Sequence, residues 1–464
     1  MTDLAPHLLQ ADELLLAPGQ LMLPDGPVAG HAVVIAGGVF QDVGAADALA
    51  ARHPHLKAIE LPGMLLMPGF VDAHHHLTQT FGKALAFGEP SEIFRRIWVP
   101  MEGVLDEEMV YLSSKAAALE SLRGGFTTVV DAGTRAEGDV SAVARATTEA
   151  GLRCVLGFIC NDIGRNAAAV MKQARAHLVR WQGHAQVHPS LAVSIPEVAT
   201  DETLREVSAL SAEAKVVFQT HVNEHLVAVE RSLVDRGLRP IEHLHHIGAL
   251  GPQVLLAHAT LITPAELAML RATDTAVAYN PVASAWKGNA VAPAALMDAM
   301  GIRFGLGTDG TRSDGFRLLD AAEAAQRYAF GLSIGDSSCG GGWTWIDHAC
   351  AAGAGAVGLG AVTGRIAPGL AADCLLVDIE TPEFAPSWDL TWELVRLGNR
   401  DQIVAVMVGG QLRLWEGWPV DWDGRALMRE VAAAAQRTVA RAPIKRVHPT
   451  SQQHRATAMV RSGA

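Results

Sequence analysis

The chain predicts a (β/α)8 barrel of the TIM type carrying a small β-sandwich built from both chain ends. Eight apolar, β-branched runs recur from residue 66 onward, with helix-patterned segments between them. Residues able to do chemistry close most of those runs, as on the strand-end rim where barrel enzymes build their sites. Short strands punctuated by Gly, Pro and Asp lie before and after the repeat. A chain of 464 residues with 49% hydrophobic content is long enough for one large core and a satellite.

In chain order, Leu14–Leu23, His31–Ile35 and Gly38–Val43 read as strands of the satellite. The barrel runs are Leu66–Ala73, Phe126–Asp131, Arg153–Ile159, Ser190–Ile195, Val216–His221, Val254–His258, Thr275–Asn280 and Arg303–Thr308. Helical spacing fills Asp106–Leu122, Asp139–Ala150, Asp201–Ala214 and Pro264–Ala272 between them. Strand patterns return at Ala372–Asp378 and Ile403–Trp415. Residues 1–64 plus 365–420 are therefore assigned to the sandwich, 65–364 to the barrel, and 421–464 to a helix (Gly424–Ala442) and a basic polar tail. The Gly-rich stretch Gly335–Trp345 is the candidate cover for a site at the rim.

A formal net charge of -12 argues against a nucleic-acid surface, where Lys and Arg must neutralise phosphates. With no uninterrupted apolar stretch of about 18 residues and no basic leader ahead of an apolar run, a membrane role is not expected, and the chain reads as cytoplasmic. Five scattered cysteines fit reduced thiols, and none has the two-residue spacing of a thiolate zinc site. Any metal is expected on nitrogen and oxygen. Trp415, Trp418 and Trp422 read as exposed and point to a homo-oligomer.

The most informative segment is Met67-Pro68-Gly69-Phe70-Val71-Asp72-Ala73-His74-His75-His76. In an extended strand alternate residues share a face, so His74 and His76 project together, able to grip one cation unless they form a mere surface cluster. His221 closes the fifth run as a possible third imidazole, and Glu224 follows three residues later, within reach of a coordinated water. His258 closes the sixth run, either as a catalytic group or as a core histidine satisfied by a carbonyl. Asp309, in Gly307-Thr308-Asp309-Gly310, is a ligand and proton acceptor or a turn residue.

His-x-His on strand one, His and Glu after strand five, His on strand six and Asp on strand eight resemble the amidohydrolase superfamily, in its aminohydrolase branch of triazine hydrolases and of adenosylhomocysteine, guanine and oxoguanine deaminases. Gly288-Asn289-Ala290-Val291-Ala292-Pro293 and Gly364-Arg365-Ile366-Ala367-Pro368-Gly369 extend the resemblance, which spans roughly residues 10 to 420. It implies that His74, His76, His221 and Asp309 bind one divalent metal, Zn2+ first and Fe2+ second. The predicted fourth strand contains no Lys to bridge a second ion. The resemblance further implies a metal-activated hydroxide attacking a ring carbon. In that scheme Asp309 takes the water proton, His258 contacts the oxygen, and Glu224 protonates the ring nitrogen so that ammonia leaves.

The expected activity is hydrolytic deamination of a small N-heterocycle: a purine base, pterin, pyrimidine or triazine. The same machinery can displace halide, an alkylamine or an amidine nitrogen; a non-catalytic metal-binding homologue is the remaining alternative, against which Glu224 and Asp309 are both retained. Candidate substrate contacts are Gln79, whose amide can read a ring edge; Glu102, in a Pro-x-Glu element or else at a helix start; Arg312; and Trp286, which can stack on a flat ring. Where adenosine-type relatives carry His-Ala-Pro and His-Asn-Pro, this chain has Ser194-Ile195-Pro196 and Tyr279-Asn280-Pro281, which argues against a nucleoside.

Overall fold

Two sheets organise the chain in a computed structural model that describes residues 5–89, 92–336 and 338–462. Eight parallel strands pair in sequence order: β1 (Phe70–His75), β2 (Phe126–Asp131), β3 (Arg153–Ile159), β4 (Val187–Val193), β5 (Phe218–Val222), β6 (Val254–His258), β7 (Ala276–Tyr279) and β8 (Phe304–Leu306). The ring closes just beyond β8, where His75 bridges Asp309 and the Asp309 amide donates to the His74 carbonyl at 2.8 Å. Successive strand residues fall into separate buried clusters. Phe70, Val129, Cys154 and Leu256 join one, while Val71, Val130, Val155 and Leu255 join another. Both faces of the sheet are thus covered, which is why these strands read as continuous apolar runs.

Helices return the chain between strands and start where short polar side chains satisfy free amides. Asp106 accepts from the Met109 amide ahead of Glu107–Arg123, Thr200 from Thr203 ahead of Asp201–Ala214, and Thr263 with Glu266 forms a capping box ahead of Pro264–Thr273. Among the described residues no helix is long and apolar enough to cross a membrane.

The second sheet has nine strands and draws on both chain ends. Its path runs Trp418–Pro419, Gln411–Trp415, Ile403–Val408, Cys374–Asp378, Ala58–Pro68, Glu13–Leu23, His31–Ala36 and Val39–Ala45, with Gly26–Val28 paired to Glu13–Leu23. Cys374 opposite Pro68 is where the late segment meets the early one. A buried ion pair, Arg153 to Asp373 at 3.1 Å, ties the start of β3 to this sheet.

Several expectations are corrected. The run Leu66–Ala73 is not one strand: Ala58–Pro68 belongs to the end-built sheet and β1 begins at Phe70. Between them Gly69 lies so close to Thr127 that a Cβ would come within 2.2 Å of it, and its amide donates to the Asp373 carbonyl at 3.0 Å. Both strands are buried, so the apolar pattern runs on unbroken while the backbone changes sheets. The fourth strand is Val187–Val193 and not Ser190–Ile195; Pro189 lies within it, and a proline reads in sequence as a strand breaker. The tryptophans expected to be exposed pack internally. Trp418 lies between the guanidinium groups of Arg123 and Arg425, 4.5 and 4.1 Å from its ring centre, and Trp415 and Trp422 rest against buried clusters. The C-terminal helix is Gly424–Arg441. The tail is held at residues 445–448, where the Lys445 amide donates to the Arg96 carbonyl and the Val447 amide to Glu89.

Candidate functional site

Closure of the barrel builds the site. The β1–β2 register slips between Asp72 and His75, an irregularity of the kind that re-aims side chains at a strand end. His75 turns away to Thr308 (Nδ1 to Oγ1 2.8 Å), whose amide in turn donates to Asp72 at 2.9 Å. His74 and His76 turn to a common point, with ring centres 4.9 Å apart, and His221 at the end of β5 lies 4.7 Å from His74 and 5.2 Å from His76. Asp309 reaches the same point because the closing bridge places it beside His74. Gly307 and Gly310 frame it for a steric reason. A Cβ on Gly307 would come within 2.2 Å of Asn280, and one on Gly310 within 2.3 Å of Gln79. His258 and Asp309 both hold left-handed backbone, with φ of 74° and 58°, a strain that natural proteins keep at functional positions.

The donor set fits a divalent cation. His221 Nδ1 donates to the Ser194 carbonyl at 2.7 Å, which leaves the Nε2 lone pair facing His76 Nε2 at 3.1 Å. Two ring nitrogens that close are held together by a shared proton or by a shared cation, and a cation between them would take both lone pairs. Both ring nitrogens of His74 are buried and without a hydrogen-bond partner among the described residues, and Asp309 Oδ1 lies 3.5 Å from His76 Nε2. His74, His76 and Asp309 can each offer an atom within 4.8 Å of the others', as can His74, His221 and His258. Burial first, and repulsion within the ring second, hold His74 well below the ordinary imidazole range; burial also lowers His76, and brings His221 to about 3. Neutral imidazoles are the form that ligates metal.

Around this ring sit the proton-handling groups. The Asn280 amide faces His258 Nδ1 at 3.3 Å, so donation from Asn280 puts the ring proton on Nε2. That nitrogen lies 3.7 Å from Glu224 Oε2 and 3.8 Å from Asp309 Oδ2. Burial opposes ionisation of Glu224 and Asp309, but His258 and Lys287 outweigh it and keep both carboxyls well below their usual range. Lys287, to which the sequence pattern gives no role, bridges the two at 2.8 and 2.6 Å.

A cavity of about 780 Å³, counting its open mouth, rises from the ring. Gln79 lines it, and its Oε1 is buried with no hydrogen-bond partner among the described residues. The other candidate substrate contacts do not line it. Glu102 is fully buried, accepting from Thr78 at 2.6 Å and pairing with Arg135 at 2.6 Å; Arg312 pairs with Asp314 at 2.7 Å; Trp286 packs edge-on against Phe87. The described part of Gly335–Trp345 contributes no lining residue, and Ser337 lies outside the described residues. The wall comes instead from Glu92, Phe94 and Trp98, from Glu197 after β4, and from Arg231. Phe94 and Trp98 stand four residues apart in the segment before Asp106, and that helical spacing of two aromatics is the signal by which the sequence could have marked them.

The chain matches the family model described as Amidohydrolase family over residues 65–413. It is 28% identical over 409 residues to a 5-methylthioadenosine/S-adenosylhomocysteine deaminase of Nitratidesulfovibrio vulgaris (strain DSM 19637 / Miyazaki F), covering 86% of this chain and 91% of the relative. It is 27% identical over 434 residues to a 5'-deoxyadenosine deaminase of Methanothermobacter thermautotrophicus, covering 91% and 98%. In fold it resembles a zinc-bound adenosine deaminase from Xanthomonas campestris, with a TM-score of 0.85, 22% identity and coverage of 92% and 98%. It likewise resembles atrazine chlorohydrolase from Arthrobacter aurescens TC1 complexed with zinc, with a TM-score of 0.81, 20% identity and coverage of 91% and 100%.

Proposed function

This chain belongs to the amidohydrolase family, and from that premise we propose that it is a metal-dependent deaminase of a small N-heterocycle, a hydrolase of non-peptide carbon-nitrogen bonds. The observation that carries the reading is the convergence of His74, His76, His221 and Asp309, with Glu224 lining the cavity and His258 beside Glu224 and Asp309. We assign those four residues as ligands of one divalent metal, Zn2+ before Fe2+. When bound, such a cation supplies the Lewis acidity that brings a water's pKa toward about 7.

The chain's own groups do the rest. Asp309 accepts a proton from water. His258 Nε2 donates to the attacking and then the developing oxygen, held to that task by Asn280 at Nδ1. Glu224, a carboxylate at rest, takes up the water-derived proton that Asp309 first accepts and delivers it to the ring nitrogen, then takes the proton of the newly formed hydroxyl and passes it to the departing amine. Gln79 lines the cavity, where its amide can read the ring edge. Phe94 and Trp98 supply apolar wall for a flat ring.

We further assign residues 69–364 as the catalytic barrel, 5–68 plus 365–420 as the sandwich and 421–462 as helix and tail, with the first boundary moved from 64 to 68 by the sheet that Ala58–Pro68 joins. The five cysteines, all free, support a cytoplasmic setting. Exposed Tyr328, Leu332 and Trp388 support a homodimer. Ammonia release from a panel of purine bases, nucleosides, pterins, pyrimidines and triazines, with metal content measured alongside, tests the function. Halide or alkylamine release without ammonia would replace deamination by that displacement, and a metal-loaded protein that turns over nothing would remove the enzymatic reading.

A further inference from the structure

Lys287 ends the short helix that follows β7, Pro281–Lys287, and reaches back over the histidine ring. Its ammonium stands 2.6 Å from Asp309 Oδ2 and 2.8 Å from Glu224 Oε1, with the side chain 12% exposed. Neither carboxylate needs a lysine for the proton transfers assigned to it. We infer that Lys287 is a tethered counter-cation that competes with the divalent metal for Asp309, so that loading the site turns the Lys287 side chain off that carboxylate. The inference rests on the proposed ligand set.

Charge and connectivity both support it. Asp309 and Glu224 are buried carboxylates within reach of one another through His258, and two such groups need a compensating cation. Lys287 supplies one positive charge and a divalent ion would supply two. On one small carboxylate the two cations repel by several times thermal energy, even at the effective dielectric of a protein. Removing the ammonium therefore acts twice in the same direction: it lifts that repulsion, and it leaves Asp309 and Glu224 more attractive to metal. The local backbone beside Lys287 is fixed, so only its side chain need turn. Gly288 caps the helix in left-handed conformation (φ 66°) with its amide donating to the Ser284 carbonyl, and Asn289 beyond it meets His225 Nδ1 at 3.0 Å. Asn289 can therefore stay in place while Lys287 turns into the cavity it lines.

The test is zinc affinity of the full chain, measured by competition with a chromogenic chelator. Lys287→Met should bind zinc at least about ten-fold tighter than wild type, and Lys287→Arg, which keeps the charge, within about three-fold of it. The metal-stripped Lys287→Met protein should also melt at least about 5 °C below stripped wild type, and zinc should restore the difference. Equal or weaker zinc binding by Lys287→Met overturns the inference and makes Lys287 a partner of Glu224 in the loaded site. A wild type that binds no zinc removes the metal reading itself, which is a separate failure. If Lys287→Met does not fold, Lys287→Gln replaces it under the same criteria: tighter zinc binding than wild type supports the inference, and equal or weaker binding overturns it.

Discussion

The floor of the cavity and its outer wall both bury titratable groups and differ in how these are paired. On the floor, both nitrogens of His74, Nδ1 of His76 and Nε2 of His258 are buried without hydrogen-bond partners among the described residues. On the wall and behind it, carboxylates meet guanidinium groups: Glu102 with Arg135 and Thr78, Glu92 with Arg231 at 2.7 Å, and Glu89 with Arg96 and Arg446, while Glu197 Oε1 and the Nε of Arg135 and of Arg231 stay unpaired among the described residues. Leaving a buried polar atom unpaired costs about 1–3 kcal/mol. The wall holds most of its charge in ion pairs, whereas the floor gathers unpaired imidazole nitrogens where a ligand offsets that cost.

The contrast can be broken most forcefully at Asp309. Asp309→Asn should lose most of the bound metal and at least about 10³-fold in kcat, read by metal analysis and ammonia release. Retention of either would separate its two roles. Glu224→Gln comes next, expected to keep its metal while kcat falls by about 10²–10⁴-fold. Near-normal turnover of that metal-loaded variant would assign the proton to another group.

At the wall the expected effects are on stability. Glu102→Gln strands the Arg135 guanidinium and should cost up to about 3 kcal/mol in urea unfolding, with zinc affinity unchanged. Unaltered stability combined with a raised KM would return Glu102 to the substrate. The last effect, of similar size but confined to low pH, concerns His177, buried but satisfied, with Nε2 3.1 Å from the Leu156 carbonyl. Burial lowers its pKa from 6.5 to about 4. Its unfolded form therefore binds the proton first: its contribution is full above about pH 6.5 and falls as pH drops toward 4, by up to about 3 kcal/mol. His177→Phe should flatten that part of the stability-pH curve without touching metal content. An unchanged slope would place the titration elsewhere.

Much of this architecture was legible in the residues. β2, β3 and β6 have the bounds their apolar runs predict, because each is flanked by polar or Gly-containing segments that end the pattern. The rim histidines were legible too, since an imidazole that closes a buried apolar run must be desolvated there and needs a partner to offset that cost. The change of sheet at Gly69 was not. Burial of both strands erases the period that would mark a boundary. The ion pairs of Arg312 and Glu102 were not legible for a related reason: nothing local shows that Asp314 and Arg135 lie within their reach.

By itself, the order of residues determined the alternation of strand and helix, the rim on which chemistry gathers, and the nitrogen and carboxylate donors available there. All of these follow from backbone periodicity and side-chain type, which act over a few neighbouring positions. Only the tertiary structure decided that Lys287 reaches Asp309 and Glu224, that Asn280 faces His258 Nδ1, and that Glu102 is consumed by the wall. Those pairings join residues from 22 to 63 positions apart, or 33 for Arg135 and Glu102, and depend on which strand ends the closed barrel brings together.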